Sequence, residues 1–323
     1  MDISVILPTY NRCDVLPRAL ECFASQQAPG LDFEVIVVDN NSTDETKAVI
    51  ESFAARDKRI HYLFEPRQGL SHARNRGIGV ARAEMVAFTD DDVEVATDWI
   101  AQMHRAMCRY AEADFVGGRV LPALNEPLPP WAHVKMAPFA LQEMGERPVI
   151  LDSGDRRCLI GACLGVRRRA FGRYGLFSIE TQRVKDGVGS TEDADWETQV
   201  WNGGGHGMYL PEIVVYSPLS KRRLTKGYHR RWHLGHGRFH AKAGRPEFKT
   251  ARTLLDVPAF VYRQAVQSCL EFALFTLRFR KMEAFERENR LLFSLGFIAE
   301  RWNAQVPHPL LARRASPANS LAS

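Results

Sequence analysis

The 323-residue chain contains six cysteines, Cys13, Cys22, Cys108, Cys158, Cys163 and Cys269, but no CxxC pair and no metal-finger spacing. That excludes a disulfide scaffold and a zinc ribbon. No apolar run reaches the roughly 18 residues of a membrane span, and the most apolar C-terminal stretch, Val257 to Leu277, is broken by Arg263 and Glu271. Nothing ahead of the first apolar strand reads as a signal peptide, so the expected setting is a reducing cytoplasm. There is no GxGxxG after the first strand, no GxxxxGKS or GxxxxGKT, and no GxSxG. These absences count against a nicotinamide dehydrogenase, a P-loop kinase or ATPase, and a serine hydrolase. Internal repeats and low-complexity tracts are also lacking, and the Ala/Ser/Pro tail after Arg314 is expected to fray.

What is present suits a globular protein: 45% hydrophobic and 25% charged residues, in a length that admits two units, or one α/β domain with a C-terminal extension. The net charge of +5 is unevenly spread. Residues 221–323 hold 20 Lys+Arg against 7 Asp+Glu, while the first 220 hold 23 against 31. The pattern reads either as an acidic catalytic part joined to a basic part facing an anionic surface, or as solvated helix faces.

The first half alternates short apolar runs with amphipathic stretches, the pattern of a parallel sheet covered by helices. Ile3 to Leu7 predicts a buried strand ending at Pro8, followed by a helix with Leu16, Leu20 and Phe23 on one face. Phe33 to Val38 predicts a second strand with Asp39 at its end, and Ser42-x-x-Glu45 a capping box for the next helix. Ile60 to Phe64, a helix near Ser71 to Ala83, and a strand from Met85 to Thr89 follow. That last strand runs directly into Asp90, Asp91 and Asp92. Residues 121–150, rich in proline, predict an irregular loop over the site. Beyond it come a strand over Cys158 to Val166, a short basic helix from Arg167 to Tyr174, a helix from Thr191 stopped by Gly203-Gly204-Gly205, and a strand from Met208 to Tyr216. Past Leu224 the pattern is wholly helical.

Proteins of this architecture bind ligands beyond the carboxyl ends of their strands, where Asp39 and Asp90 to Asp92 fall. Three adjacent carboxylates raise one another's proton affinity unless positive charge sits among them, and oxygen ligands suit Mg²⁺ or Mn²⁺. The alternative is a solvated turn capping a helix near Thr97. Thr191-Glu192-Asp193 opens a helix whose dipole favours ionised carboxylates, suited to a general base; the alternative is ordinary capping by Thr191. In Gly69-Leu70-Ser71-His72-Ala73-Arg74-Asn75, Arg74 reads either as a phosphate or ribose contact or as a surface arginine, and His72 as a helix-surface or packing residue rather than a ligand.

These motifs in this order resemble the family 2 glycosyltransferases of the GT-A fold, which are inverting and nucleotide-sugar dependent. The resemblance runs from Val5-Ile6-Leu7-Pro8-Thr9-Tyr10-Asn11-Arg12 through Val37-Val38-Asp39-Asn40-Asn41-Ser42-Thr43-Asp44, Arg74-Asn75 and Phe88-Thr89-Asp90-Asp91-Asp92 to Gly161-Ala162-Cys163 and Thr191-Glu192-Asp193. It implies a Rossmann-like, mostly parallel α/β sheet with helices on both faces, as a catalytic domain over residues 1–220. Residues 221–323 then form a basic helical extension. It further implies that Pro8, Thr9 and Tyr10 line the nucleotide pocket, that Asp39 bonds the base, and that Arg74 and Asp91 lie beside the nucleotide. Asp90-x-Asp92 resembles the DXD element, with Asp90 toward the ribose and Asp92, or both, on Mg²⁺ or Mn²⁺. Asp193 resembles the catalytic base, with Glu192 second. The family's metal-binding histidine after the last strand is replaced by Ser217, leaving that ligand absent or supplied by His229, His233 or His236.

The implied partners are a nucleotide-sugar donor, with UDP expected, and a saccharide or lipid-linked acceptor in polysaccharide or glycolipid assembly, without nucleic acid. Lys221, Arg222, Arg223, Lys226, Arg230 and Arg231 near Tyr228 and Trp232, followed by an apolar helix with Phe260, Leu270, Phe272, Leu274, Phe275 and Leu277, read in two ways. They lie in the inner membrane interface as a peripheral contact, or they pack on protein. Two rival functions are a sugar-1-phosphate nucleotidyltransferase, which would need a Gly-rich loop that Ile6 to Arg12 lacks, and a non-catalytic sugar- or lipid-binding subunit on the same scaffold.

Overall fold

A computed structural model describes residues 1–124, 127–184, 191–242 and 252–305; the tail after Arg314 lies outside them. The chain divides into two compact units, Met1–Tyr228 and the residues from His229 onward.

The first unit is built on strands β1 (Ile3–Thr9), β2 (Phe33–Asp39), β3 (Ile60–Phe64), β4 (Met85–Phe88), β5 (Glu94–Val95), β6 (Phe115–Ala123), β7 (Val149–Leu151), β8 (Leu164–Arg167) and β9 (Gly207–Pro218). They form one sheet in the order β3-β2-β1-β4-β8-β6-β9-β5, with β7 also on β9. The β3-β2-β1-β4 half is parallel, whereas β8 runs antiparallel to both β4 and β6. All residues of β1 and β2 are buried, because both sheet faces are covered. Ile3, Val5 and Leu7 pack in one core with Trp99, and Ile6 in the other with Phe88 and Trp196. The side-chain period of two divides each strand between the cores.

The covering helices are α1 (Leu16–Ala24), α2 (Thr46–Arg56), α3 (Leu70–Val80), α4 (Trp99–Arg109), α5 (Arg168–Tyr174) and α6 (Glu192–Asn202). The α/β architecture expected from the alternating pattern is present. Several local expectations are not. Pro8 does not end β1: Pro8 and Thr9 pair with Val38 and Asp39 of β2, while β4 reaches only to Ile6, so no partner on that side needs the proline's missing N–H. The Ser42–Glu45 capping box does not form. Ser42 Oγ accepts the Asn11 N–H at 2.9 Å, and Asp44 Oδ1 takes the Thr46 N–H at 3.0 Å at the start of α2. Thr191 likewise caps no backbone group; its hydroxyl donates to Asp195 at 3.0 Å. The strand expected from Cys158 is shortened to β8, preceded by a single 3₁₀ turn at Gly161–Cys163.

Residues 121–150 are less irregular than expected. They hold the end of β6, a 3₁₀ turn at Ala137–Phe139 and the first residues of β7, and among the described residues of this stretch Ala123 and Leu124 line the cleft described below.

Helix α7 (Lys226–Lys242) continues into the second unit, which holds α8 (Ala259–Leu277) and α9 (Lys281–Gln305). It is not wholly helical: β10 (Thr253–Leu254) and β11 (Val257–Pro258) form a short hairpin, turned by Leu255 and Asp256, both at positive φ. Among the described residues no helix is long and apolar enough to cross a membrane.

Candidate functional site

The segments after β1, β2 and β4 leave the sheet at its carboxyl edge, where the parallel half opens a cleft. A cavity of about 600 Å³ there is lined by Pro8, Thr9 and Tyr10, by Asp91 and Asp92, and by the segment 218–224 after β9. Asp39, Arg74, Asp90, Glu192 and Asp193 are not on that lining. Of these, Asp90, Arg74 and Glu192 are joined in one chain of ion pairs.

Each carboxylate of the triplet meets an arginine from a different part of the chain. Asp90 accepts from Arg74 at 3.5 Å, Asp91 lies 3.9 Å from Arg12, and Asp92 accepts from Arg223 at 3.1 Å. The solvated-turn alternative fails for Asp91, which is 8% exposed and accepts the Thr9 hydroxyl at 2.7 Å. Burial, reinforced by the Asp92 charge, pushes its pKa up to about 7. Nor does the triplet cap a helix: it runs into β5, and α4 begins only at Trp99. Arg183 also lines the cavity. Burial opposes its charge, but the charges of Asp90, Glu192, Asp92 and Asp91 outweigh that and raise its pKa.

Arg74 is no surface arginine. Its side chain is 3% exposed and spans the two acidic groups, donating from Nη1 to Glu192 at 3.0 Å and from Nη2 to Asp90 at 3.5 Å. Phe177 stacks below it at 5.5 Å, and Gly161 leaves the room it occupies, since a Cβ there would overlap the guanidinium. The two acidic motifs, about 100 residues apart in sequence, therefore meet through one side chain.

Glu192 is buried against Arg74. Asp193 is half-buried and accepts the Gly161 N–H at 3.1 Å. One turn on, Glu197 takes the Leu159 N–H on both oxygens at 3.1 and 3.0 Å, and Gln142 takes the Ile160 N–H at 2.9 Å. Three consecutive backbone donors, 159 to 161, are thus held by side chains. Burial, with the Asp193 charge adding to it, raises the Glu197 pKa well above the ordinary carboxylate value. Cys163, in the Gly161-Ala162-Cys163 motif of the family resemblance, is fully buried, and burial pushes its thiol up to about 11.

Asp39 is buried at the end of β2. Its carboxylate accepts the Ser42 N–H at 2.9 Å and the Tyr62 hydroxyl at 3.1 Å, and burial, then the Asp39 charge, push that phenol up to about 12. Ser217 is buried in β9 opposite Pro122. Of the three histidines considered in its place, His229 lies against Phe285 at 6.0 Å and His233 is driven down to about 4 by burial and then by His229. His236 stacks on Trp232 at 4.3 Å and meets His240 at 3.0 Å. All three are engaged within the helical unit.

The donor chemistry fits a hard divalent cation. Asp90 and Asp92, 28% and 24% exposed, offer carboxylate oxygens of the kind such a cation takes. Among the described residues no group of three or more His, Cys, Asp or Glu is arranged to hold a metal ion. The remainder of any shell would come from substrate phosphate and water, as is usual for Mg²⁺.

Residues 4–175 match the model of "Glycosyl transferase family 2", more than half of the chain. The chain belongs to this family. The family 2 chain is 38% identical over 118 residues to validoxylamine A glucosyltransferase of Streptomyces hygroscopicus subsp. jinggangensis, covering 36% of this chain and 28% of that protein. It is 39% identical over 95 residues to GalNAc(5)-diNAcBac-PP-undecaprenol beta-1,3-glucosyltransferase of Campylobacter jejuni, covering 29% of this chain and 30% of that one. It therefore spans less than a third of either relative's length. Two solved structures share its GT-A fold at a TM-score of 0.55. One is the mannosyltransferase PcManGT of Pyrobaculum calidifontis in complex with GDP-Man and Mn²⁺, at 19% identity, covering 97% of this chain and 78% of that one. The other is residues 1–349 of S. aureus TarS in complex with UDP, at 17% identity, covering 94% and 92%.

Sequence reasoning missed Arg12, Arg183 and Glu197 as parts of the site, and assigned Arg223 to a basic-aromatic cluster instead. The one available signal was the four-residue spacing of Asp193 and Glu197, which sets both on one helix face.

Proposed function

We propose that the protein is an inverting glycosyltransferase that moves a sugar from a nucleotide-diphospho-sugar, with a UDP-sugar as the expected donor, to a hydroxyl of a saccharide or lipid-linked acceptor. The observation that carries this reading is the Arg74 bridge between Asp90 and Glu192, which brings a phosphate-side acidic group next to a carboxylate-bearing helix start. We assign catalysis to residues 1–220 and a supporting role to the basic region 221–323.

In this reading Pro8, Thr9 and Tyr10 flank the nucleotide, and Asp39 lies beneath its base. Asp90 and Asp92 would hold Mg²⁺ or Mn²⁺, which when bound stabilises the negative charge that develops on the leaving diphosphate. Asp193 takes the proton of the acceptor hydroxyl. Its half-buried carboxylate favours it over Glu192, whose charge is already spent on a buried guanidinium. Attack from the face opposite the leaving group, through an oxocarbenium-like state, inverts the anomeric centre in one step. Holding residues 159–161 to Gln142, Asp193 and Glu197 fixes the base in place.

A lipid-linked acceptor is supported by the name of the Campylobacter relative, whose acceptor is an undecaprenol-linked glycan. A peripheral contact with an anionic membrane is supported by α8, where Val266, Leu270, Leu274 and Leu277 are 61%, 68%, 41% and 78% exposed. Exposed Arg263, Arg278 and Lys281 flank that stripe and supply the complementary charge. The test of the central reading is a thermal-shift panel of UDP, GDP and their sugar conjugates, with and without Mn²⁺. A specific donor raises the midpoint by mass action, and absence of any shift across the panel would refute the reading.

A further inference from the structure

Of the four arginines whose charges meet the acidic triplet, Arg12, Arg74, Arg183 and Arg223, Arg223 is the one that sits on the cleft lining with its partner carboxylate and also binds it closely. Arg74 is enclosed by Phe177 and Gly161, and Arg12 stands at 3.9 Å from Asp91. Arg223 belongs to the segment after β9 that enters the cleft with Lys221 and Arg222. It holds Asp92 at 3.1 Å and the Phe139 carbonyl at 3.3 Å. A dication would need the oxygens of Asp92, and a diphosphate is matched by the planar fork of a guanidinium. While Arg223 and Asp92 hold each other, that pair of charges is satisfied internally.

We propose that Arg223 is an exchange residue: it covers Asp92 when no donor is present, and transfers its guanidinium to the donor's diphosphate when one enters. The proposal rests on the glycosyltransferase reading above and adds a residue and an order of events to it. It also places a cation beside the diphosphate in a chain whose β9 strand carries Ser217, buried, where the family histidine would stand. Arg223 then opposes cation binding to the nucleotide-free protein and supports binding of the nucleotide. Opposite signs on two ligands distinguish an exchange from a structural ion pair, whose loss weakens both.

The experiment uses the full chain. Mn²⁺ binding without nucleotide is followed by the loss of the free-ion electron paramagnetic resonance signal, and UDP and GDP binding at saturating Mn²⁺ by calorimetry. Arg223→Ala is expected to tighten Mn²⁺ binding about five- to tenfold and to weaken nucleoside diphosphate binding about tenfold, the scale of one charge-assisted contact. Arg223→Lys should recover most of the nucleotide affinity, and in an Asp92→Asn background Arg223→Ala should leave Mn²⁺ binding unchanged. Arg223→Gln, which keeps the stem, serves if the alanine variant fails to fold. Unchanged or weaker Mn²⁺ binding in the variants, with wild type still binding UDP or GDP, overturns the exchange alone. Failure of wild type to bind either nucleotide with Mn²⁺ overturns the donor-site reading, and the exchange with it.

Discussion

Arg74 and Glu192, 118 positions apart in sequence, meet at 3.0 Å with both side chains 3% exposed. A buried pair of this kind adds little net stability over an apolar pair, yet losing one partner leaves the other charge stranded. Its value here is positional, because it ties α3 to the start of α6 under the cleft.

Arg74→Ala is expected to destabilise the fold by about 3 to 5 kcal/mol, the usual cost of stranding a buried charge. Urea unfolding followed by circular dichroism measures it, with Arg74→Ala/Glu192→Gln expected to recover part of the loss. A single variant that unfolds at the wild-type midpoint would contradict the buried bridge.

Asp193→Asn should abolish sugar transfer while leaving UDP or GDP affinity within about twofold of wild type, since removing a general base strips the chemical step of about 10² to 10⁴ in rate and touches no phosphate contact. Product assays on a donor found by the thermal panel, paired with calorimetry, read the two quantities separately. Retained transfer would move the base elsewhere.

Glu197 gives a pH signature. Its folded pKa is raised, so between the ordinary glutamate value of about 4.3 and the higher folded value the native state carries a proton that the unfolded state has lost. Stability from this group is present at acid pH and falls as pH rises through that window. Glu197→Gln should flatten the decline and be the more stable protein at neutral pH. Unfolding midpoints from pH 4 to 8 for both proteins test it; identical slopes would show that Glu197 is ionised in the native state.

Leu270→Glu, on the exposed stripe of α8, should reduce cosedimentation with vesicles containing anionic lipid several-fold, by removing buried apolar area and adding repulsion, and leave UDP or GDP binding as in wild type. Equal sedimentation of the two proteins would remove the membrane from the proposal.

Much of the β1–β4 half was legible in the sequence because its information is local. The apolar runs of β1 and β2 are continuous since both faces are buried, and Asp39 and the triplet stand directly at strand ends. β6 escaped notice because Phe115–Ala123 carries two glycines and a proline, a poor strand by propensity that is held by β8 and β9 on either side. The helix starts were misread where an unpredicted hydrogen bond took the expected cap: Asn11 claimed Ser42, and Asp195 claimed Thr191. The arginines were the hardest part. Arg223 lies 131 positions from Asp92, and nothing local distinguishes it from Arg222 beside it.

The arginines paired with the triplet have a practical corollary. Domains whose folding is coupled to metal binding lose their shape when chelated, whereas the carboxylates of this cleft are met by Arg12, Arg74 and Arg223 from its own chain. On the proposed metal dependence, a chelator is therefore expected to silence the cleft and leave it folded, ready to be reloaded.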